Sequence, residues 1–517
     1  MPVHVIAYIF VIGVSVMTLA FFRKPFAAQL GRKRFDTWAL AWMVATTCVF
    51  LLTNFWVAMI GVAVIAAYFA RAEPVKPAIY LLFLCVAPAM GLPIPGFAGI
   101  NKFIEIEPQL VVAAVVLIPS LFVAARMKRL NKVGAKADMF FLLYLILQVS
   151  LSIRAPSFTH MLRTGLEDFL FLTPIYYVVS RWPKSVDDVR TLTAAIVLPV
   201  LILSAVAVPE FSRNWHFYFQ IIINWLGEVP FGYSMREGYL RATASVFNPI
   251  VWGYVAMCAI GLGLALLNDG LTRLYKLAAF GLLVTGLLLS LSRGPWIGTI
   301  IIIGVYIMLS RNAVTRSIQA GAVAIVAGLL SLLTPFGRSV IGLLPVVGGG
   351  VNDTIDYRQQ LLDAAWDVIL QNPLFGSANY LQNSALQNMR QGQGIIDIVN
   401  TYLQVGLKSG LVGLSLFIGF FAFVLGSLMK AHKTARAQSS PLENYCRAYI
   451  ATLVGILVTI FTTSSEGQIP HLYWVVAALG VAISRIAAEA PDAHPVAGAA
   501  QADKTKAGKA HADFNWK

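Results

Sequence analysis

The sequence predicts an all-α, polytopic integral membrane protein with about 12–15 transmembrane helices and one large, partly helical loop outside the membrane. Its 517 residues are 58% hydrophobic and only 12% charged, and the mean hydropathy is +0.74. Soluble domains carry roughly 25% charged residues. Apolar runs recur at close to the ~20 residues with which a helix crosses a bilayer. The Lys and Arg residues behind the net charge of +15 are spread over short loops, which indicates membrane topology and not nucleic-acid binding.

The apolar runs define fifteen candidate spans. They lie at roughly 3–22, 37–53, 55–70, 77–95, 109–125, 138–153, 167–180, 190–208, 247–267, 276–291, 296–310, 317–334, 404–429, 447–463 and 471–486. The first run lacks a basic leader and an Ala-x-Ala cleavage signal, so we interpret it as an uncleaved span with its N-terminus outside.

Loop charge sets the orientation of these spans. With the N-terminus outside, every basic loop faces the cytoplasm, as the positive-inside rule requires. The residues concerned are Arg23, Lys24, Arg32, Lys33, Arg34, Arg126, Lys128, Arg129, Lys132, Lys136, Arg181, Lys184, Arg190, Lys430, Lys433 and Arg436. The predicted organisation is therefore N-terminal spans in 1–208, an outer loop in 209–246, central spans in 247–334, a large outer loop in 335–403, C-terminal spans in 404–486, and a disordered cytoplasmic tail in 487–517.

The large outer loop contains one predicted amphipathic helix, from Thr354 to Gln371. Its predicted apolar face consists of Leu361, Leu362, Ala365, Trp366, Ile369 and Leu370. The helix ends at Asn372-Pro373, because proline cannot continue it. Such a helix is expected to lie on the membrane or over a cavity.

Two arginines stand at outer ends of spans, against the usual charge bias. Arg241 precedes Asn248-Pro249, and Arg293 lies in Ser292-Arg293-Gly294-Pro295-Trp296. A guanidinium stays charged and offers paired donors that match phosphate oxygens. We therefore expect a polyanion at the outer surface, a lipid-linked diphosphate, although each arginine also has the simpler interpretation of a helix anchor that snorkels to lipid headgroups.

Further motifs follow in a fixed order. The large loop holds Arg358, Trp366 and Asn372-Pro373-Leu374-Phe375-Gly376, and it closes with Asn400-Thr-Tyr402-Leu403 ahead of Gly410-Leu-Val-Gly413. Together with the two arginine motifs, this order over about residues 230–415 resembles the O-antigen ligase and O-antigen polymerase superfamily of bacterial envelope glycosyltransferases.

The resemblance implies a GT-C-like glycosyltransferase of the bacterial inner membrane, whose site faces the periplasm and needs neither a cofactor nor a metal. Its donor would be an undecaprenyl-diphosphate-linked oligosaccharide. The diphosphate-holding arginines of the family carry over to Arg241, Arg293 and Arg358. Asn400 and Tyr402 are substrate-binding candidates. Trp366 is one by sugar stacking, with an interfacial aromatic belt as its alternative role. For Arg358 the alternative is a solvent-facing side chain or a pair with Asp356 or Asp363.

Six further residues fall on the outer side, and we interpret each as a surface residue, with glycan contact as its alternative role. They are Arg154, His160, Arg163, Arg213, His216 and Arg236.

One departure from the family pattern concerns the catalytic base. In ligases of the superfamily a histidine stands just before the Asn-x-Tyr-Leu element, whereas this chain has Val399. The nearest ionisable residue is Asp397, whose isoleucine neighbours are expected to desolvate its carboxyl and raise its pKa towards a useful range. Asp397 is accordingly the candidate general base, and a cap for the following helix is its alternative role.

Three functions follow as hypotheses. The first is a polymerase that joins lipid-linked repeats into an O-antigen, capsule or exopolysaccharide, in company with a flippase and a chain-length regulator. The second is a ligase that transfers finished glycan to lipid A-core or protein. The third is a transporter of the lipid-linked glycan, which should show ionisable residues near the membrane midplane. The spans are nearly free of such residues, which favours chemistry at the outer surface.

Overall fold

The computed structural model describes residues 1–96, 102–127, 131–228, 232–268, 270–331, 333, 337, 352–390 and 396–489. It confirms an all-α polytopic membrane protein. The predicted disorder of the tail concerns residues that lie almost entirely outside the described part. The same holds for much of the large loop before residue 352 and for residues 391–395.

The described chain is built of helices with two short hairpins. The helices are Val3–Leu30, Arg32–Leu51, Phe55–Ala72, Pro77–Phe83, Pro108–Ala125 with a π-helical turn at Ala113–Leu117, Lys132–Leu151, Phe158–Arg181, Val186–Arg213, Phe219–Leu226, Pro249–Leu266, Arg273–Leu289, Arg293–Met308, Ala313–Ser331, Asn352–Gln371, Ser384–Gln387, Thr401–Ala437, Leu442–Thr459 and Gln468–Glu489. The hairpins pair Leu92–Pro95 with Lys102–Ile106 and Met235–Arg236 with Tyr239–Leu240. Single 3-10 turns lie at Ser152–Arg154 and Tyr380–Gln382.

Eight of the described helices are long and apolar enough to cross a membrane. They are Val3–Leu30, Phe55–Ala72, Pro108–Ala125, Lys132–Arg154, Val186–Arg213, Pro249–Leu266, Thr401–Ala437 and Gln468–Glu489, and the apolar helix Arg293–Met308 is shorter. Three of them, Val186–Arg213, Pro249–Leu266 and Gln468–Glu489, form the most buried part of the bundle. Because these three are enclosed on nearly all sides, they carry apolar residues around their whole circumference.

The predicted span 77–95 is wrong in its second half. The helix ends at Phe83, and Leu92–Pro95 pairs as a strand with Lys102–Ile106. The reason is the proline content of this run, at positions 88, 93 and 95. Proline lacks a backbone N–H and drives the residue before it out of the helical region.

The helix Thr401–Ala437 is broken at Gly410, which has a φ of 67°. The break frees backbone groups that a continuous helix would pair. The N–H of Leu411 donates to the carbonyl of Pro373 at 2.7 Å, and that of Val412 donates to Leu374 at 3.2 Å. The Asn-Pro-Leu-Phe-Gly motif of the large loop thus inserts its main chain into the break.

Arg154 also binds both segments of this junction. Its guanidinium donates to the carbonyls of Phe375 at 2.9 Å, Gly376 at 2.8 Å and Lys408 at 2.7 Å. The sequence suggested only a surface residue at this position. The large loop is therefore tied to two membrane helices through main-chain carbonyls, which need this arginine but few other particular side chains.

Gly410 and Gly376 are required at this junction, and alanine at either is expected to loosen it. Both have a positive φ, 67° and 66°, and an added Cβ at either would collide with backbone atoms of the opposing segment. Strain and clash together are expected to cost about 1–3 kcal/mol of unfolding free energy. Thermal unfolding in detergent should show the loss for Gly410→Ala and Gly376→Ala.

Gly426→Ala is the matched control for this experiment. Gly426 lies in the same membrane helix as Gly410, and an added Cβ there would meet no atom within 4 Å. An equal thermal midpoint for Gly410→Ala and Gly426→Ala would contradict the docking of the loop into the helix break.

Candidate functional site

The two arginines singled out in the sequence meet at one end of the helix bundle. The Arg241 guanidinium donates through Nη2 to Ser292 Oγ at 2.8 Å and through Nε to the Ser290 carbonyl at 3.1 Å. Ser292 immediately precedes Arg293, the first residue of its helix. The turn that presents Arg293 is therefore held by Arg241.

Arg236 is a third arginine of this site, and the sequence interpretation as a surface residue missed it. Its Nη1 donates to the Leu291 carbonyl at 2.7 Å, in the same turn that Arg241 binds. The tight turn at Glu237-Gly238, with φ values of 52° and 76°, folds the chain into a hairpin that brings both arginines to one place. The Glu-Gly pair between them was the available sequence signal.

Arg358 completes the group from the large loop. Its Nη2 lies 3.5 Å from the Thr462 carbonyl, and a Cβ on Gly294 would lie 2.9 Å from Thr462 Oγ1. The turn 460–467 therefore contacts both Arg358 and the start of the Arg293 helix. We call Arg236, Arg241, Arg293 and Arg358 the arginine cluster.

Electrostatics show how closely the arginine cluster is assembled. Burial, followed by the charge of Arg293, lowers the pKa of both Arg236 and Arg358. Burial and the charge of Arg236 lower the pKa of Arg241 to about 9, which leaves it charged at neutral pH. In the described part of the chain, none of the four has a carboxylate within 4.0 Å, and the buried Nε of Arg293 has no partner. The alternative pairing of Arg358 with Asp356 or Asp363 is thus not seen.

The backbone around the arginines is strained. Ala244, Phe247 and Leu291 have positive φ values of 47°, 60° and 47°, although none is glycine. Such conformations cost on the order of 1–3 kcal/mol each and persist only where surrounding contacts impose them. They gather here because the chain must turn sharply before the helices that begin at Pro249 and Arg293.

Glu210 supplies the contacts that hold one of these strained residues. Its Oε2 accepts the N–H of Ala244 at 2.8 Å, and its Oε1 accepts the hydroxyl of Thr243 at 3.2 Å and lies 2.5 Å from Nδ1 of His216. Both Glu210 and His216 are fully buried, so the expectation that His216 lies at the surface is wrong. The pair anchors the segment that follows Arg241.

Asp397 lies at the edge of the site. Its Oδ1 accepts a hydrogen bond from Ser464 Oγ at 2.6 Å, in the turn 460–467, and its charge acts on Arg358. Partial desolvation and the Asp397 carboxylate raise the pKa of Glu466, which accepts from Asn248 Nδ2 at 2.7 Å. The alternative role of Asp397 as a helix cap is wrong, because Asn400 caps that helix.

Asn400 and Tyr402 have partners within the protein. Asn400 is buried, and its Oδ1 accepts the N–H groups of Tyr402 at 2.9 Å and Leu403 at 3.2 Å. The Tyr402 hydroxyl donates to the Leu457 carbonyl at 2.8 Å. Both side chains therefore fix the helix start beside the turn 460–467, and their contact with substrate stays a prediction.

The loop helix Asn352–Gln371 confirms the prediction over Thr354–Gln371, but its predicted apolar face is half wrong. Leu361, Ala365, Val368 and Ile369 are buried, whereas Leu362, Trp366 and Leu370 are exposed by 40%, 45% and 54%. The apolar residues cover more than one face, and only one of them packs on the bundle. Trp366 lies on the open face, and its sugar contact stays a prediction.

The arrangement joins several cations to one carboxylate. Guanidinium groups without carboxylate partners can bind a diphosphate through charge-assisted hydrogen bonds and stabilise the negative charge that grows as it leaves. Asp397, next to this group and held by Ser464, is placed to accept a proton.

Comparison with protein families gives a match over a segment that contains part of this site. Residues 278–418 match the sequence model of the family described as O-antigen ligase. The matched segment includes Arg293, Arg358, Asp397 and Gly410, and it confirms the resemblance to the superfamily of O-antigen ligases and O-antigen polymerases. The family indicates a glycosyltransferase-type membrane enzyme. No curated protein matches the chain.

Replacement of Glu210 tests whether it holds the Arg241 segment. Glu210→Gln keeps the side-chain shape but removes the charge that faces His216 and Thr243, and it turns an acceptor into a donor. Because both partners are buried, we expect a loss of about 1–3 kcal/mol in unfolding free energy, read as a lower thermal midpoint in detergent. Glu228→Gln, an exposed residue of the same predicted outer loop, is the control. Equal midpoints for the two variants would remove the anchoring role.

Proposed function

We propose that this protein is a polymerase that joins undecaprenyl-diphosphate-linked oligosaccharide repeats into a surface polysaccharide. The reaction takes place at the periplasmic face of the bacterial inner membrane, where a flippase delivers the repeats and a regulator sets the chain length. The observation that carries the proposal is the arginine cluster, within and beside the segment that matches the O-antigen ligase family. None of its four guanidinium groups has a carboxylate within 4.0 Å among the described residues, and three of them have lowered pKa values.

The proposed reaction is a displacement at the anomeric carbon of the donor. An acceptor hydroxyl oxygen bonds to that carbon while its bond to the diphosphate oxygen breaks, and the bonding electron pair leaves with the diphosphate. The hydroxyl proton passes to a carboxylate oxygen of Asp397. The arginine cluster stabilises the charge that accumulates on the leaving group, and Ser464 orients the carboxylate.

A ligase is the second candidate, because the matching family is described as O-antigen ligase. Against it stands Val399, at the position where the ligases that this chain resembles carry histidine. Without that base the chain relies on Asp397 two residues earlier, and this difference favours the polymerase.

Conservative replacement of the arginines tests the diphosphate site. Arg241→Lys and Arg293→Lys keep the charge but lose the paired donors, so we expect polymer formation to fall about 10- to 100-fold in a deletion strain rescued by each variant. Glycan size is read by gel and mass spectrometry, with expression checked. Arg213→Lys, an exposed arginine at the end of a neighbouring helix, serves as the control.

The same experiment separates the candidate functions. A polymerase defect leaves single repeats on undecaprenyl diphosphate at the outer leaflet, whereas a ligase defect leaves long polymer on that lipid. Full rescue by both arginine variants would refute the diphosphate site. Asp397→Asn is expected to lower polymer formation as well, and unchanged polymer with this variant would remove the proposed base.

Pyrophosphate gives a direct test of binding. A polyanion that neutralises the arginine cluster should stabilise the folded state, by about 2.7 kcal/mol at a concentration of 100 Kd. We expect pyrophosphate to raise the thermal midpoint of the purified protein, and to raise that of Arg293→Lys much less. Sulfate at equal ionic strength is the control. Equal shifts with both anions, or in both proteins, would contradict a specific site.

A further inference from the structure

A cavity of about 320 Å³ lies at the start of the helix Gln468–Glu489, and its lining includes none of the four arginines of the cluster. It is enclosed by the hairpin Leu92–Pro95/Lys102–Ile106, by the helix Phe158–Arg181 and by the start of the helix Gln468–Glu489. Its volume falls within the range of roughly 300–1,000 Å³ that is typical of small-molecule sites. Its wall includes Tyr80, Glu105, Glu107, Gln109, Glu167 and His471.

A second cavity of about 240 Å³ lies between the first one and Ser465 of the turn 460–467. The two share Asp168 and Phe171 in their walls. The second cavity is also lined by Gln404 and Ser465. The backbone N–H of Ser465 donates to Oε1 of Gln404 at 3.1 Å. Ser465 follows Ser464, the partner of Asp397. The wall of the second cavity thus includes the neighbour of the residue that binds Asp397. We call the two the joined cavities after the wall residues that they share.

The backbone at the back of the first cavity is irregular and buried. Residues 84–87 follow the short helix Pro77–Phe83 without continuing it, and all are at most 3% exposed. Two of their carbonyls accept hydrogen bonds from side chains: Gln109 Nε2 donates to Leu84 at 3.2 Å, and Ser245 Oγ donates to Cys85 at 2.6 Å. Non-helical backbone at membrane depth is tolerated where it is buried or lines a cavity.

Two buried polar groups on the cavity wall lack partners. The hydroxyl of Tyr80 and Oε1 of Gln109 have no hydrogen bond within the described residues, although the two residues are 0% and 2% exposed. An unpaired buried polar group costs about 1–3 kcal/mol, so both groups favour a polar occupant. The Tyr80 hydroxyl lies within electrostatic range of Glu107.

The walls of the cavity are acidic. Lys102 pairs with Glu105 at 3.1 Å, and Lys408 pairs with Asp168 at 3.3 Å. Glu107 has no basic partner within 4.0 Å among the described residues, and burial, followed by the charges of Glu105 and Glu167, raises its pKa. This surface repels a diphosphate and offers acceptors to hydroxyl groups, so it suits an uncharged polyol.

We propose that the joined cavities bind the acceptor saccharide, with its hydroxyl groups on Glu107, Tyr80 and Gln109 and a sugar face on Phe171. This inference rests on the proposed transferase function. The basic arginine cluster and the acidic cavity then bind different substrates. The diphosphate of the donor binds the arginine cluster, and the neutral acceptor binds the acidic cavity. The turn 460–467 separates them and places Asp397 where the acceptor hydroxyl enters.

The test measures binding of the acceptor without catalysis. The probe is the lipid-free repeat oligosaccharide, released by mild acid from the lipid-linked repeats of the host strain and titrated into the purified full-length protein by calorimetry. We expect Glu107→Gln and Tyr80→Phe each to raise the Kd about 10-fold or more. Asp367→Asn, an exposed carboxylate of the loop helix, should leave the Kd unchanged, and thermal unfolding shows that each variant is folded.

The outcomes distinguish this inference from the proposed function. Arg293→Lys should lose polymer formation yet bind the free saccharide like the wild type, which would support separate donor and acceptor sites. The acceptor site would be overturned if the wild type does not bind the saccharide at millimolar concentration. It would also be overturned if both cavity variants are folded and bind the saccharide with the Kd of the wild type, even if the arginine variants abolish transfer. Saccharide binding with no transferase activity would instead refute the polymerase and leave the saccharide site standing.

Discussion

The site depends on the backbone hydrogen bonds that join the helix break at Gly410 to the segment Asn372–Ser377. Each partner alone would leave backbone groups unpaired inside the bundle, and such groups are costly where water is scarce. Because the segment lies just after the loop helix, its docking also decides where Arg358 stands. The described part of the loop thereby holds the charge of Arg358 at a defined place.

The arginine cluster is electrostatically unfavourable in the free protein. Its members lower one another's pKa values, and the turns that carry them contain strained residues that are held by Glu210 and by serine contacts. Strain and repulsion of this kind are retained at functional sites, where a ligand relieves them. A bound polyanion, which we propose as the ligand of the cluster, would relieve both, and part of the cluster lies in the segment that matches the O-antigen ligase family.

Patterns local in sequence predicted the helices and two of the arginines, because apolar run length and charge at a span end are local signals. Glu210 was missed because it stands at the end of an apolar span and its partners lie 6 to 34 residues further along the chain. The break at Gly410 was missed because a glycine inside a predicted span does not by itself reveal a positive φ, and the segment that docks there lies more than 30 residues earlier in the chain. In contrast, the prolines within 77–95 indicate from the sequence alone that this run is not one continuous span. Gly238 likewise indicates the turn of the hairpin.

The junction at Gly410 is made by main-chain atoms on both sides, so few of its positions require a particular amino acid. Among the described residues, the junction requires glycine at positions 410 and 376 and the guanidinium of Arg154. Pro373 and Leu374 contribute backbone carbonyls, which every residue has. Exposed positions in the described part of the loop, such as Leu362 and Leu370, can change without releasing this anchor. A lineage can therefore diversify the exposed surface of this loop while the reactive end of the bundle keeps its shape.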